Sequence, residues 1–423
     1  MNPWELIAPE AARVQAIQCI NTLGRKTEVV SLREALGRVA AVDVVSNEDS
    51  PSFDRSTVDG YALLSAETQS ASPAGPVNFA VVGEVRMGRA AMVQITTGQA
   101  VRIPTGGMLP EGADAVVMQE WTRFTGEGQL QVMRPVTVGE NTILHGDDAP
   151  AGTVVLRAGN RIGVPDIGIL AACGFDRVTV IKKPVVTVVS TGDEIVSPDT
   201  VPEPGQIRDV NSFTLCALAE NAGCEVHLNQ RVPDSQAGLL MVLITAVAES
   251  DVVLVSGGSS VGDRDFTTTA VQALPDVKIL FHGIALKPGK PTLMAVVGDT
   301  VLFGLPGHTV AAATVFQEIV EPALYARQGI KNASSRFVIE AELGAPVRTD
   351  LEREEIIRVR LEQRSDKVVA WPLPAKSGLI TTMSRAQGMI YAKAGQAPMQ
   401  TGDSVAVHVV MDRVNGMWQG VIR

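Results

Sequence analysis

The chain has 423 residues, of which 45% are hydrophobic, 19% charged and 4% aromatic, with a formal net charge of −10. That length exceeds one ordinary core and sets a prior of roughly three or four folded, soluble domains. The acidity and the shortage of aromatic rings argue against a nucleic-acid protein, which carries a basic stripe with stacking aromatics, though a local anion site stays compatible with them.

The start, MNPWELIAPEAARVQAI, lacks the basic region and apolar core of a secretion signal. Pro9 to Leu23 has helical periodicity with Gly24 as its stop. SLREALGRVAAVDVVS reads as a short helix leading into a strand. From Pro51 to about Leu144 short strands alternate with glycine and proline turns: VNFAVVGEV, GQAVRIPTGG, DAVVMQE and QLQVMRPV. This predicts a small, mostly β domain over residues 47–146. VPDIGILAACG is helical again and returns to the first segment, so residues 1–46 plus 147–181 form a helical/β domain around the insertion.

Residues 182–330 have a different grammar. PVVTVVSTGDE is a strand entering a loop, NSFTLCALAENAG a helix with Asn211 as N-cap and Gly223 past its end. EVHLNQRV, SQAGLLMVLITAVAES and DVVLVSGG follow as strand, helix and strand, and a further helix begins near Asp263. KILFHGIAL and TLMAVV are strands, and HTVAAATVFQEIVEPALYAR is the last helix. The alternation predicts a doubly wound α/β domain, whose ligands sit beyond the carboxyl ends of the strands. Residues 331–423 return to strands (RFVIEAELG, EEIIRVRLEQ, KVVAWPL, GMIYAKA, DSVAVHVV), which predicts a C-terminal β-barrel or sandwich. Four scattered cysteines without a CxxC pair fit reduced thiols, and no apolar run is long enough to span a bilayer, so a cytoplasmic protein is expected.

The loops of the α/β domain share one character. Ser190, Thr191, Gly192 and Glu194 follow the first strand, and Asp209 precedes the next helix. Ser256, Gly257, Gly258, Ser259, Gly262 and Asp265 close the run VLVSGGSSVGDRD. Lys287 and Lys290 belong to KPGKP, and Pro306, Gly307 and His308 lead into the last helix. Each has a bland reading: a solvated turn, a rigid lysine turn, a helix cap, or Asp263 capping a strand-to-helix turn. Together they set hydroxyls, exposed amides, carboxylates and lysines at one end of one sheet. That mixture suits a phosphate ester or pyrophosphate with Mg²⁺. No GxxxxGK[ST] occurs, which excludes an ordinary P-loop. In the β domain, Asp54 and Asp59 flank Ser56 and Thr57, and Thr105 opens a second turn.

With FDRSTVDGYAL, IPTGGMLPEGADAVVMQE, VVSTGDEIV, GQIRDVNS, SGGSSVGDRD, LKPGKP and GLPGHTVAA in this order, the sequence closely resembles the MoeA-type molybdopterin molybdenumtransferases, relatives of the gephyrin E domain. The resemblance spans essentially the whole chain. It implies an elongated four-part subunit and a homodimer held by the first domain. The cleft would lie between the α/β domain of one subunit and the inserted β domain of its partner. The implied reaction takes adenylylated molybdopterin and molybdate and releases AMP, with Mg²⁺ as cofactor. A MogA-type adenylyltransferase and molybdoenzymes or their chaperones are the implied further partners. Neither nucleic acid nor membrane is expected.

Carried over by position, Asp59, Thr105, Glu194, Asp265, Lys287 and Lys290 are the expected catalytic groups. Asp148, Glu194, Asp234 and Asp265 are the expected metal ligands. Arg353, Arg358 and Ser377 fall at the family's barrel-domain positions and join the α/β loops in substrate binding. Several positions depart from the pattern. Val58 replaces a methionine, Ser259 a valine, Val210 a serine and Gly283 a lysine. The family's GNP reads Gly307-His308-Thr309, and GENTILHGDD lacks the usual arginines. Tungstate insertion, a non-catalytic binding paralogue and an adenylyltransferase acting on molybdopterin are the competing readings.

Overall fold

A computed structural model describes residues 6–232, 235–257, 266–330, 337–365, 367–374 and 376–410, with only the backbone of 229–231. The chain divides into two compact units, residues 1–28 with 181–423, and residues 29–180.

The first unit begins with helix α1 (Pro9–Thr22). Proline sits in its first turn, where a missing N–H costs nothing. Ala12, Ala16 and Ile20 recur every fourth residue, so they share one face, and all three are fully buried. Burial of Ile20 alone contributes about 2 kcal/mol.

The second unit carries a six-stranded sheet from β1 (Gly60–Leu63), β2 (Val77–Glu84), β3 (Gln99–Ile103), β4 (Ala115–Met118), β5 (Thr122–Gly126) and β6 (Gln129–Val132). Their spatial order is β4-β1-β3-β2-β6-β5. Neighbouring residues point to opposite faces, which divides the buried side chains between two cores. Leu63, Ala100 and Val117 join Phe79 and Leu130 on one face, while Ala62, Val101 and Val116 join Ile103 on the other. Helix α2 (Val164–Ala172) belongs to a separate core, where Leu170 meets Val30, Leu156 and Val180.

The elements of the α/β part of the first unit start in βα alternation and then run three strands together before the last helices. They are β7 (Val185–Thr191), α3 (Asn211–Asn221), β8 (Glu225–Val232), α4 (Gln236–Glu249), β9 (Val252–Ser256), α5 (Phe266–Gln272), β10 (Val277–His282), β11 (Leu293–Val297), β12 (Thr300–Leu305), α6 (Thr309–Val315) and α7 (Glu321–Arg327). The sheet order is β8-β7-β9-β12-β11-β10. The first four strands are parallel, while β11 runs antiparallel to both its neighbours. Every residue of β9 and β12 is buried, as expected of strands covered on both faces. One face packs α1, α3, α6 and α7 through Ala16, Leu215, Val315 and Leu324. The other packs α4 and α5 through Leu239, Leu243 and Ala270. The doubly wound α/β expectation holds, with an antiparallel edge.

Two local expectations are corrected. The cap of α3 is Val210, and Asn211 is its first residue with the side chain turned inward. The last helix is interrupted by a π turn, Phe316–Val320, between α6 and α7.

The C-terminal strands β13 (Val338–Leu343), β14 (Glu354–Arg364), β15 (Lys367–Pro372), β16 (Gly388–Ala392) and β17 (Ser404–Val409) follow the ring β14-β15-β13-β17-β16 and close through a β14–β16 ladder. Leu343, Val359, Ile390 and Val407 fill this barrel. No described helix is long and apolar enough to cross a membrane.

Candidate functional site

At the carboxyl ends of β7, β9 and β12 lies a cavity of about 510 Å³. It is lined by Thr191, Glu194, Asp209, Asn211, Ser256 and Gly257, together with Gly307, His308 and Gly378. Strand register explains the convergence. Ser190 pairs with Ser256 and Ser256 with Leu305, so three strands end level and release their loops on the same side.

Asn211 organises this floor. Its Nδ2 donates to Ser256 Oγ and to the Gly307 carbonyl, both at 2.7 Å. Among the described residues, its Oδ1 and the fully buried hydroxyl of Ser190 have no hydrogen-bond partner. Buried polar atoms without partners are costly, so Asn211, which lines the cavity, is a place where a polar ligand would gain. Asp209 is committed locally: its two oxygens accept from the amide and hydroxyl of Ser212, at 3.1 and 2.6 Å, fixing the entry to α3. Gly257 has φ of +109°, and a Cβ there would lie 2.1 Å from the Thr191 carbonyl oxygen. Only glycine brings the two strand ends this close. Gly192 and Pro306 belong to the loops on either side, Pro306 being buried.

The barrel reaches the cavity through Ser377. Its hydroxyl lies 3.0 Å from His308 Nδ1, and its carbonyl accepts from the Val310 amide at 3.2 Å. Arg358 anchors the same helix more deeply, donating to Thr314 Oγ1 at 2.7 Å. Burial pulls the Arg358 guanidinium down to about 10, opposed by electrostatic interaction with Tyr391 and Glu318, and it stays cationic at neutral pH.

Other expected residues fall elsewhere. Lys287 Nζ sits 3.1 Å from Glu355 Oε1 and 3.9 Å from Asp350 Oδ2, and Arg353 contacts the same Asp350 oxygen at 2.6 Å. The Arg353 hydrogen bond is the main reason the Asp350 carboxyl titrates at about 2. Both cations are therefore answered by protein carboxylates. Lys290 contributes its carbonyl, which accepts from Ile284 and Thr292. In the other unit, Asp59 Oδ1 accepts from the Thr105 amide at 2.8 Å and hydroxyl at 3.2 Å, tying β1 to the turn after β3. Asp148 also lies there, its amide donating to Ser50. Asp234, Gly258, Ser259, Gly262 and Asp265 lie outside the described residues. The sequence reading missed the inward role of Asn211, and it missed Asp350 and Glu355. The REE run holding Arg353 was the available signal for Glu355.

Comparison with known proteins agrees with this architecture. Residues 7–174 match the MoeA N-terminal region (domain I and II), 187–326 the probable molybdopterin binding domain, and 340–410 the MoeA C-terminal region (domain IV). A molybdopterin molybdenumtransferase of Staphylococcus epidermidis is 33% identical over 89% of this chain and 90% of its own length. One from Bacillus subtilis is 31% identical over 93% and 92%. The crystal structure of a molybdopterin biosynthesis MoeA protein from Pyrococcus horikoshii superposes with a TM-score of 0.79 at 30% identity, covering 96% of this chain and all of that one. With three matching regions in family order and relatives aligned almost end to end, this chain belongs to the MoeA molybdopterin molybdenumtransferase family.

Proposed function

We propose that the chain acts in molybdenum cofactor biosynthesis as a molybdopterin molybdenumtransferase, inserting molybdate into adenylylated molybdopterin with release of AMP. The observation that carries the proposal is the cavity beyond β7, β9 and β12, where Thr191, Glu194, Asn211, Ser256, Gly257 and Gly307 converge. The hydroxyls and main-chain groups of this wall can orient phosphate oxygens.

Mg²⁺ forms part of the proposal. That ion uses one or two carboxylates together with substrate phosphates, and Glu194 at the cavity supplies an oxygen ligand of that kind. By the resemblance, Asp148, Asp234 and Asp265 would complete its ligands, and the bound ion would neutralise phosphate charge. Lys287, Lys290 and Arg353 would hold oxyanions, and Asp59 with Thr105 would act on the partner subunit's cavity in a homodimer.

The test is a turnover assay. Purified protein, adenylylated molybdopterin and Mg²⁺ are mixed with molybdate or tungstate, and AMP and metallated pterin are measured. AMP release with molybdate supports the proposal, and release only with tungstate reassigns the oxyanion. Release with neither leaves the non-catalytic binding paralogue. One observation favours that second reading: Lys287 and Arg353 are already paired with Glu355 and Asp350, which reduces the positive charge open to a substrate.

A further inference from the structure

We propose that His308 is an oxyanion-binding residue of this cavity, with its imidazole oriented by Ser377 of the barrel so that Nε2 is offered to a tetrahedral oxyanion. The inference rests on the functional reading above and adds to it a residue that departs from the family's GNP pattern. Three observations carry it.

First, His308 lines the cavity together with Gly257 and Gly307, and it is exposed there. Second, the ring is held. Nδ1 lies 3.0 Å from Ser377 Oγ, and Ser377 is itself pinned to the start of α6 because its carbonyl accepts from the Val310 amide. The serine thus contacts both the ring and the helix start, which restrains the imidazole. Third, the described cavity wall carries two carboxylates, Glu194 and Asp209, beside the Arg208 guanidinium, whose Nε donates to the Pro198 carbonyl. An anion entering here meets that negative charge, so a ring N–H aimed at it adds a favourable donor to an acidic wall.

The tautomer follows from the occupant. When the serine hydroxyl donates to Nδ1, the ring proton sits on Nε2 and can be donated outward. The reverse arrangement makes Nε2 an acceptor, suited to a cation. An anionic oxygen therefore selects the first arrangement, and Ser377 pre-orients a donor at little entropic cost. Two sources could present that chemistry, the phosphate of a nucleotide ester and molybdate itself.

The test uses the full-length protein with two inorganic probes, molybdate and pyrophosphate, and binding is followed by calorimetry. The variants are His308→Ala, His308→Asn and Ser377→Ala, each checked for native melting. His308→Ala should weaken one probe by roughly ten- to a hundredfold, the range for a hydrogen bond to a charged group. His308→Asn, which keeps a donor, should recover much of that loss, and Ser377→Ala should fall between. Whichever probe loses affinity identifies the source. Unchanged affinity for both probes in His308→Ala overturns the inference, as does the absence of binding to the native protein. Failure of AMP release by the native protein would remove the functional reading but leave a His308-dependent anion site standing. In turnover, His308→Ala should raise KM more than it lowers kcat, and equal kinetics would again overturn the inference.

Discussion

Gly257→Ala probes how the end of β9 shapes the cavity. Two costs follow from the geometry. At φ of +109° a side chain is disfavoured, which costs about 1–2 kcal/mol. The new Cβ would also stand 2.1 Å from the Thr191 oxygen, against 3.4 Å for ordinary contact, so β7 and β9 must part at their ends. Forced movement of a packed element adds roughly 1–3 kcal/mol. The total is about 2–5 kcal/mol, with loss of the Thr267 hydroxyl's 2.8 Å bond to the Gly257 carbonyl as its local mark. Gly298→Ala is the control, since φ there is +55° and nothing lies within 4 Å of the added methyl. It should cost only the backbone share. The two compact units need not unfold together, so urea titration should be read by hydrogen exchange over Val185–Thr191 and Val252–Ser256. If Gly257→Ala unfolds no earlier than Gly298→Ala, the close approach does not constrain the cavity and the reasoning fails.

Three further outcomes are expected. Asp59→Ala should free the Thr105 amide to exchange and destabilise its unit by about 1 kcal/mol, while Asp59→Asn, whose carbonyl still accepts, should protect that amide; equal exchange in both would refute the tie. Burial pushes the Cys224 thiol up to about 12 and that of Cys216 to about 11, so at pH 8 iodoacetamide should label neither at an appreciable rate until urea is added. Rapid labelling of native Cys224 would contradict its burial. Asp350 is held at about 2, below its ordinary value of 3.8, so its pairing stabilises fully above about pH 4 and is lost as pH falls towards 2. The stability difference between native protein and Arg353→Gln, followed by tryptophan fluorescence, should be under about 1 kcal/mol at pH 7, shrink as pH falls towards 2 and vanish below it. A difference that grows on acidification would reverse that sign.

Much of this was legible because the signals are local. DVVLVSGG announces a strand buried on both faces and a turn that only small residues make, and β9 and Gly257 are those features. Ser190, Thr191, Glu194 and Asp209 could be assigned to one end of the sheet because parallel strands all end there. What stayed hidden depends on distant partners. Asn211 has the composition of a cap, yet its side chain is claimed by Ser256 and Gly307, far along the chain. Lys287 looks like a free phosphate ligand until the barrel brings Glu355 and Asp350 to it. The π turn left no mark either, since Phe316, Ile319 and Val320 keep an apolar pattern that a regular helix would share. The Ser377 contact is set by tertiary folding alone, since the residue lies 69 positions from His308.

Because β14 ladders with both β15 and β16, the barrel's five strands form a ring in which each finds its main-chain partners inside the same molecule. Two of its ladders, β13–β15 and β16–β17, cover only two residue pairs each, so the ring is closed yet staggered. A foreign strand meets no strand that lacks a neighbour on either side, which should disfavour templated self-association through this region even when the protein is concentrated.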